Sequence, residues 1–226
     1  MGHPYSAVMV DRTRAIFIAA LAGVVIFAAI GYGIEKSAWQ PPFWLTTPSA
    51  GLFFGLFFGM YDRVLWRKSI FGFPLSQVPD LRGRWTGEIS IEAGPRRREE
   101  QLLENIPCFV TVTQSWTRMV VRFETPFSTS VSSMAAILDG EFHYEYAVQP
   151  KVGTSYPKDM NNHGGMARMR FDARLPKRMS GHFFNDQNYQ RFGRYELRRD
   201  RRHRNAESWF AAHQQLTTAA PVPQAP

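Results

Sequence analysis

"VPDLRGRWTGEISIE", residues 78–92, sets the architecture of this chain. Trp85, Gly87, Ile89 and Ile91 alternate with Arg84, Thr86, Glu88 and Ser90. A period of two puts one set on each face of a pleated strand. The pattern continues in "PCFVTVTQSW" (107–116), "TRMVVRFE" (117–124), "STSVSSMAAIL" (128–138), "EFHYEYAVQ" (141–149), "GGMARMRFDAR" (164–174), "RMSGHFFN" (178–185) and "RFGRYELRR" (191–199). Breaks at Gly94-Pro95, Asp139-Gly140, Gly153, Gly164-Gly165, Pro176 and around Asn185–Asn188 separate these segments. The spacing predicts an eight-stranded antiparallel β-barrel over residues 80–199, since closure leaves no free edge. A sandwich is the alternative. A barrel of that size holds packed side chains or one small ligand.

Upstream the composition changes. Residues 15–34, "AIFIAALAGVVIFAAIGYGI", carry no charge, and twenty residues of helix rise about 30 Å, the thickness of a bilayer's hydrocarbon core. A second apolar run closes with "PFWLTTPSAGLFFGLFFGMY", its helix starting between Pro42 and Ser49. The expected plan is a cytoplasmic N-terminus (1–14), two transmembrane helices (15–68), a linker (69–79), the barrel (80–199) and a basic, then Ala/Pro-rich tail (200–226) whose end is disordered. A cleaved signal peptide is the rival reading of the first run, but no clear cleavage site follows it. Arg12 and Arg14 before the first run, and Arg63, Arg67 and Lys68 after the second, put both termini and the barrel in the cytoplasm. The single Cys108 agrees with a reducing compartment. Gly51, Gly55 and Gly59 recur every four residues and form a small-residue face for helix packing, within the chain or between copies.

The formal charge of +8 suits anionic partners without choosing among them. Six histidines show no zinc spacing, and there is no P-loop or dinucleotide fingerprint. No catalytic residue, metal or enzymatic activity is expected. What stands out is a candidate ligand mouth. It comprises Gln114 and Trp116 after one strand, Ser128, Ser130 and Ser132 on one strand face, Tyr144 and Tyr146 on another, His163 in a glycine-rich turn, and Arg191. Flat rings, hydroxyls and amides, and a guanidinium are what a nucleotide's bases, base edges and phosphate require.

The ordered set of two apolar runs, "DLRGRWTGEI", "VTVTQSW", "STSVSSMAAIL", "YEYAVQP", "NHGGMARMRF" and "MSGHFFNDQNYQRFGRYEL" resembles the two-transmembrane, β-strand-rich effectors of CBASS, the cyclic-oligonucleotide-based anti-phage signalling systems of bacteria. Val148 stands where members of that family often carry Asn. The resemblance implies a multi-pass protein of the inner membrane and no cofactor beyond an activating cyclic dinucleotide, made by a partner nucleotidyltransferase. It also implies ligand-promoted homo-oligomerisation, disruption of membrane lipid and death of the infected cell, with no DNA or RNA partner. The other readings are a membrane-anchored barrel for lipid or another hydrophobe, and a structural membrane adaptor.

Overall fold

The structure, a computed structural model, describes residues 2–7, 12–36, 50–70, 72–93, 105–138, 140–151, 162–172, 176–186, 192–203 and 205–219. In chain order its elements are strand β1 (His3–Ala7), helices α1 (Arg12–Lys36) and α2 (Ala50–Arg63), and a single 3-10 turn at Leu65–Arg67. A small hairpin follows, β2 (Ser69–Ile70) and β3 (Phe73–Pro74). Then come β4 (Gly83–Ala93), β5 (Ile106–Gln114), β6 (Arg118–Glu124), β7 (Ser128–Leu138), β8 (Glu141–Pro150), β9 (His163–Phe171), β10 (Arg178–Asn185), β11 (Phe192–Asp200) and helix α3 (Ala206–Ala219). They form two compact units, Met1–Ala7 with Pro79–Pro226, and Val8–Val78.

The first unit is a closed barrel, β1-β6-β5-β4-β11-β10-β9-β8-β7, with an additional β6–β7 pairing. Strands β4–β11 are the eight expected from the alternation, but the barrel has nine, and the eight-strand expectation is corrected. The ninth is β1. Near their turn β6 and β7 pair directly, at Arg122↔Val131, Phe123↔Ser130 and Glu124↔Thr129. At Ser132/Met134 the register of β7 shifts, and below that irregularity β1 occupies the fork. It pairs antiparallel with β6 (His3↔Met119, Pro4↔Arg118) and parallel with β7 (Tyr5↔Ala135, Ser6↔Ala136, Ala7↔Ile137). His-Pro-Tyr-Ser-Ala has no alternation and contains a proline, so periodicity alone does not reveal it.

Alternate residues point inward as predicted: Trp85, Cys108, Val110, Val121, Phe142, Ala167, Met169, Met179 and Leu197 are buried. Strands approach closely at Gly181, where a Cβ would collide with the Arg168 carbonyl. α3 packs against β5, and there Phe109, which points out of the barrel, is only 2% exposed. Asn205 caps α3, its Oδ1 accepting from Ser208 N at 3.0 Å. The tail therefore carries a helix before its Ala/Pro-rich end, which lies outside the described residues.

In the second unit, α1 and α2 meet where a Cβ on Gly23 would lie 3.5 Å from the Phe54 backbone, and Phe27 and Phe53 stand 6.1 Å apart. Among the described residues one helix segment, Ile16–Lys36, is long and apolar enough to cross a membrane. The 14 residues of α2 rise about 21 Å, short of a bilayer core. The structure thus gives one candidate span and a shorter apolar helix, the coarser part of the expected two-helix hairpin. The connection between them, where the second span was to begin, lies outside the described residues. Gly55 and Gly59 face open space, with nothing within 4 Å of a Cβ placed on either, and Gly51 is exposed.

Candidate functional site

Antiparallel strands end alternately at the two rims of a barrel, so each predicted site residue is assigned to a rim by the parity of its strand. The upper rim collects the end of β4, the start of β5, the turn from β6 to β7, the end of β8, the start of β9, the end of β10 and the start of β11. An open cavity lies there, about 600 Å³ counting the solvent space at its mouth. Its floor and walls are apolar and aromatic, with Ile89, Ile91, Ile106, Phe123, Phe183 and Tyr195. Its polar groups are Thr125, Ser128, Ser130, Tyr146, His163 and Asn185.

Of the residues proposed from sequence, Ser128, Ser130, Tyr146 and His163 converge on this cavity. Ser128 is held by the β6–β7 turn: its backbone N–H donates to Thr125 Oγ1 (2.9 Å), and the two hydroxyls stand 3.0 Å apart. Tyr146 Oη donates to Asn185 Oδ1 at 2.8 Å, joining β8 to β10 over Gly165 of the intervening β9. Asp186 closes the corner, accepting from Gly164 N at 2.9 Å. Burial raises the Tyr146 phenol above its ordinary pKa, with a lesser contribution from the Asp186 charge and opposition from the Tyr195 hydroxyl. The phenol therefore stays neutral and can both donate and accept. Val148, at the position of the family's frequent Asn, lines the same cavity.

Tyr144 lies beneath the cavity in an aromatic column, 5.7 Å from Tyr146 and 5.3 Å from Phe142. Gln114, Trp116 and Ser132 are not brought to the cavity. Gln114 is a latch at the lower rim. Its Oε1 accepts from Leu81 N (2.9 Å), and its Nε2 donates to Pro79 O and Tyr5 Oη, both at 3.1 Å. Trp116 is 1% exposed in the β5–β6 turn. Ser132 sits at the fork, its Oγ accepting from Val121 N (2.9 Å) and lying 2.7 Å from His3 Nε2. Arg191 lies outside the described residues. Sequence reasoning passed over Thr125, Phe127, Phe183, Asn185 and Tyr195. Three of them follow from register alone: Asn185 pairs with Gly165, Gly165 pairs with Tyr146, and Phe183 pairs with Gly193 beside Tyr195.

Among the described residues no group of His, Cys, Asp and Glu could hold a metal ion. Cys108 is fully buried, and that burial raises its thiol pKa well above the ordinary value, with the Glu88 charge adding to the shift. The site offers a deep aromatic floor, a rim of hydroxyls, an amide and an imidazole, and no activated nucleophile among the residues lining it.

A comparison with curated proteins finds no match. The family model for the Cap15 cyclic dinucleotide receptor domain matches residues 76–199. That match spans more than half of the chain and covers strands β4 to β10 and all of β11 but its last residue. The chain belongs to the Cap15 cyclic dinucleotide receptor family, whose receptor domain is here the barrel with the cavity at its upper rim.

Proposed function

We propose that this protein is an anti-phage effector of the CBASS type. The barrel binds a cyclic dinucleotide from a partner nucleotidyltransferase, copies of the chain self-associate, and their apolar helices disrupt the bacterial inner membrane, killing the infected cell. The observation that carries the reading is an open rim cavity lined by aromatic and hydroxyl side chains inside the matched family domain. Tyr146 and Phe183 supply rings for base stacking, and Ser128, Ser130 and Asn185 supply groups for base and ribose edges.

β1 bears on the membrane topology. Residues 3–7 lie in the barrel wall, so the N-terminus and the barrel share one side of any membrane. If α1 crosses, the chain must cross again before Pro79. That argument supports a two-crossing arrangement with both termini and the barrel on one side, α2 contributing to the return; the cations flanking the two apolar runs make that side the cytoplasm.

The test uses the full chain in detergent, melted with cyclic di-AMP, cyclic di-GMP and cyclic GMP–AMP in turn. One of them should raise the melting temperature, by RT ln(1 + [L]/Kd) in free energy. Ser130→Val and Tyr146→Phe should each weaken that ligand about tenfold, one buried hydrogen bond being worth roughly 1–1.5 kcal/mol. No shift with any of the three would favour the hydrophobe-binding barrel or the adaptor.

A further inference from the structure

Helix α3 lies beyond the matched domain, which ends at residue 199, and it is fastened to the outside of the barrel. Asp200, the last residue of β11, fixes the approach to it, accepting from Arg202 N at 2.8 Å and His203 N at 3.0 Å. Arg84 Nη1 on β4 donates to His203 O at 3.0 Å. Trp209 packs between the imidazoles of His203 and His213, 5.2 and 5.5 Å away between ring centroids. β11 ends at the lower rim, and His213 Nε2 lies 4.0 Å from Glu88 Oε1, midway along β4. The helix therefore climbs the wall toward the rim that carries the cavity.

Beside Trp209, Phe210 presents its ring to Lys151, whose Nζ stands 5.3 Å from the ring centroid. The same Nζ donates to Thr125 O at 2.7 Å, and the Lys151 backbone N–H donates to Phe127 O at 2.8 Å. Both acceptors belong to the β6–β7 turn, and Thr125, Phe127 and Ser128 line the cavity. Within the turn, Thr125 Oγ1 accepts from Phe127 N at 3.2 Å as well as from Ser128 N. Thr125 is thus held from inside by its own turn and from outside by Lys151. A lysine is a point charge on a flexible four-carbon stem, and such a stem holds a carbonyl firmly only where its own ammonium is confined. The face of the Phe210 ring supplies that confinement.

We propose that α3 sets the ligand mouth from outside the barrel, acting through Phe210 and Lys151 to hold the turn that aims Thr125 and Ser128 into the cavity. Neither Phe210 nor Lys151 lines the cavity; both are positioning residues. The proposal rests on the reading of this cavity as the cyclic-dinucleotide site. A turn already ordered in the free protein needs less ordering on binding. Loosening it weakens the ligand without removing any group that meets it.

The experiment uses the full chain in detergent with the same three cyclic dinucleotides. Calorimetry gives Kd, and amide exchange over residues 125–128 is read by mass spectrometry without ligand. Lys151→Met should weaken whichever dinucleotide the parent binds by about tenfold, and speed exchange in the turn by a similar factor, because a charged hydrogen bond is lost. Lys151→Arg keeps a cation and a donor and should stay within about twofold of the parent. Phe210→Leu keeps an apolar side chain without a ring face and should weaken binding about threefold, while Phe210→Tyr should restore it. In the double variant Lys151→Met with Phe210→Leu the losses should not add, since Phe210 acts through Lys151. A parental Kd in Lys151→Met, with only the melting temperature lowered, makes the contact a plain structural tie and overturns the proposal. Additive losses overturn the route through Lys151. Failure of the parent chain to bind any of the three overturns the reading of the cavity and this proposal with it.

Discussion

Glu141 shows how the barrel's outer charges are arranged at the scale of single residues. Its carboxylate accepts from Arg168 Nε and, at 2.9 Å, from Arg170 Nε, with His143 Nε2 at 3.3 Å. The Arg168 hydrogen bond first, then that of Arg170, lowers its pKa from 4.5 to about 2. A depressed carboxylate pKa contributes stability that is fully present above the unfolded value of about 4.3. That contribution is lost as the pH falls through about 2. Both guanidiniums are largely solvated, 56% and 78% exposed, so the contribution is small. Glu141→Gln should melt slightly below the parent at neutral pH, and the gap should narrow below about pH 4.3 and vanish near pH 2. Thermal melts across that range check it, and a gap that stays constant with pH would contradict the assignment. Cys108 gives a second expectation. It is 0% exposed with its thiol held protonated, so maleimide should modify it only after denaturant is added.

Among the elements, β1 carries the most consequence for its size. Without it the fork between β6 and β7 would expose ladder groups on both strands, and the hydroxyl of Ser132 would lose its His3 partner. Tyr5 is 3% exposed and joins Gln114 Nε2 to the Ser115 carbonyl. Tyr5→Ala removes a buried ring and two hydrogen bonds, and should cost about 3–5 kcal/mol, read from denaturant unfolding of the full chain. A barrel cut to residues 78–200 should show the same weakness, cured by restoring residues 1–7. A cost below about 1 kcal/mol would mean β1 rests on the wall without closing it. The eight longer strands were legible because each alternates over seven or more residues; β1 was not, because five residues with a proline leave no period to read. The site was legible by half for a related reason. Alternation says that Ser128, Ser130 and Ser132 share a face, but not that Ser132 sits at a fork made by a strand from the other end of the chain. Gln114 and Trp116 were separable from Ser128 by strand parity, since β5 ends where β7 does and not where β7 begins.

At the level of the whole molecule, the barrel and the apolar helices have to be coupled for a captured ligand to affect a membrane. β7 lies along that route. Its inward face carries Ser128 and Ser130 at the cavity, Ser132 at the fork and Ala135 paired with Tyr5, after which the chain reaches α1 through residues 8–11. Ligand can shift this system toward assembly only by binding the assembled form more tightly, by about 5.5 kcal/mol for a change from 1:99 to 99:1. The glycine face of α2 separates capture from assembly experimentally. A Cβ at Gly55 meets nothing within 4 Å in the single chain, so Gly55→Leu is sterically silent there and adds a good helix former. It should leave the ligand-induced melting shift unchanged within about twofold in Kd, equivalent to about 0.4 kcal/mol. If α2 meets the helices of other copies through this face, the added side chain blocks their close approach, and expression with the ligand-producing enzyme should no longer kill cells. Killing at the parental level would place the helix contact elsewhere, on α1 or on the Phe-rich flanks of α2. Loss of killing together with loss of the melting shift would mean that the barrel and the helices cannot be perturbed separately.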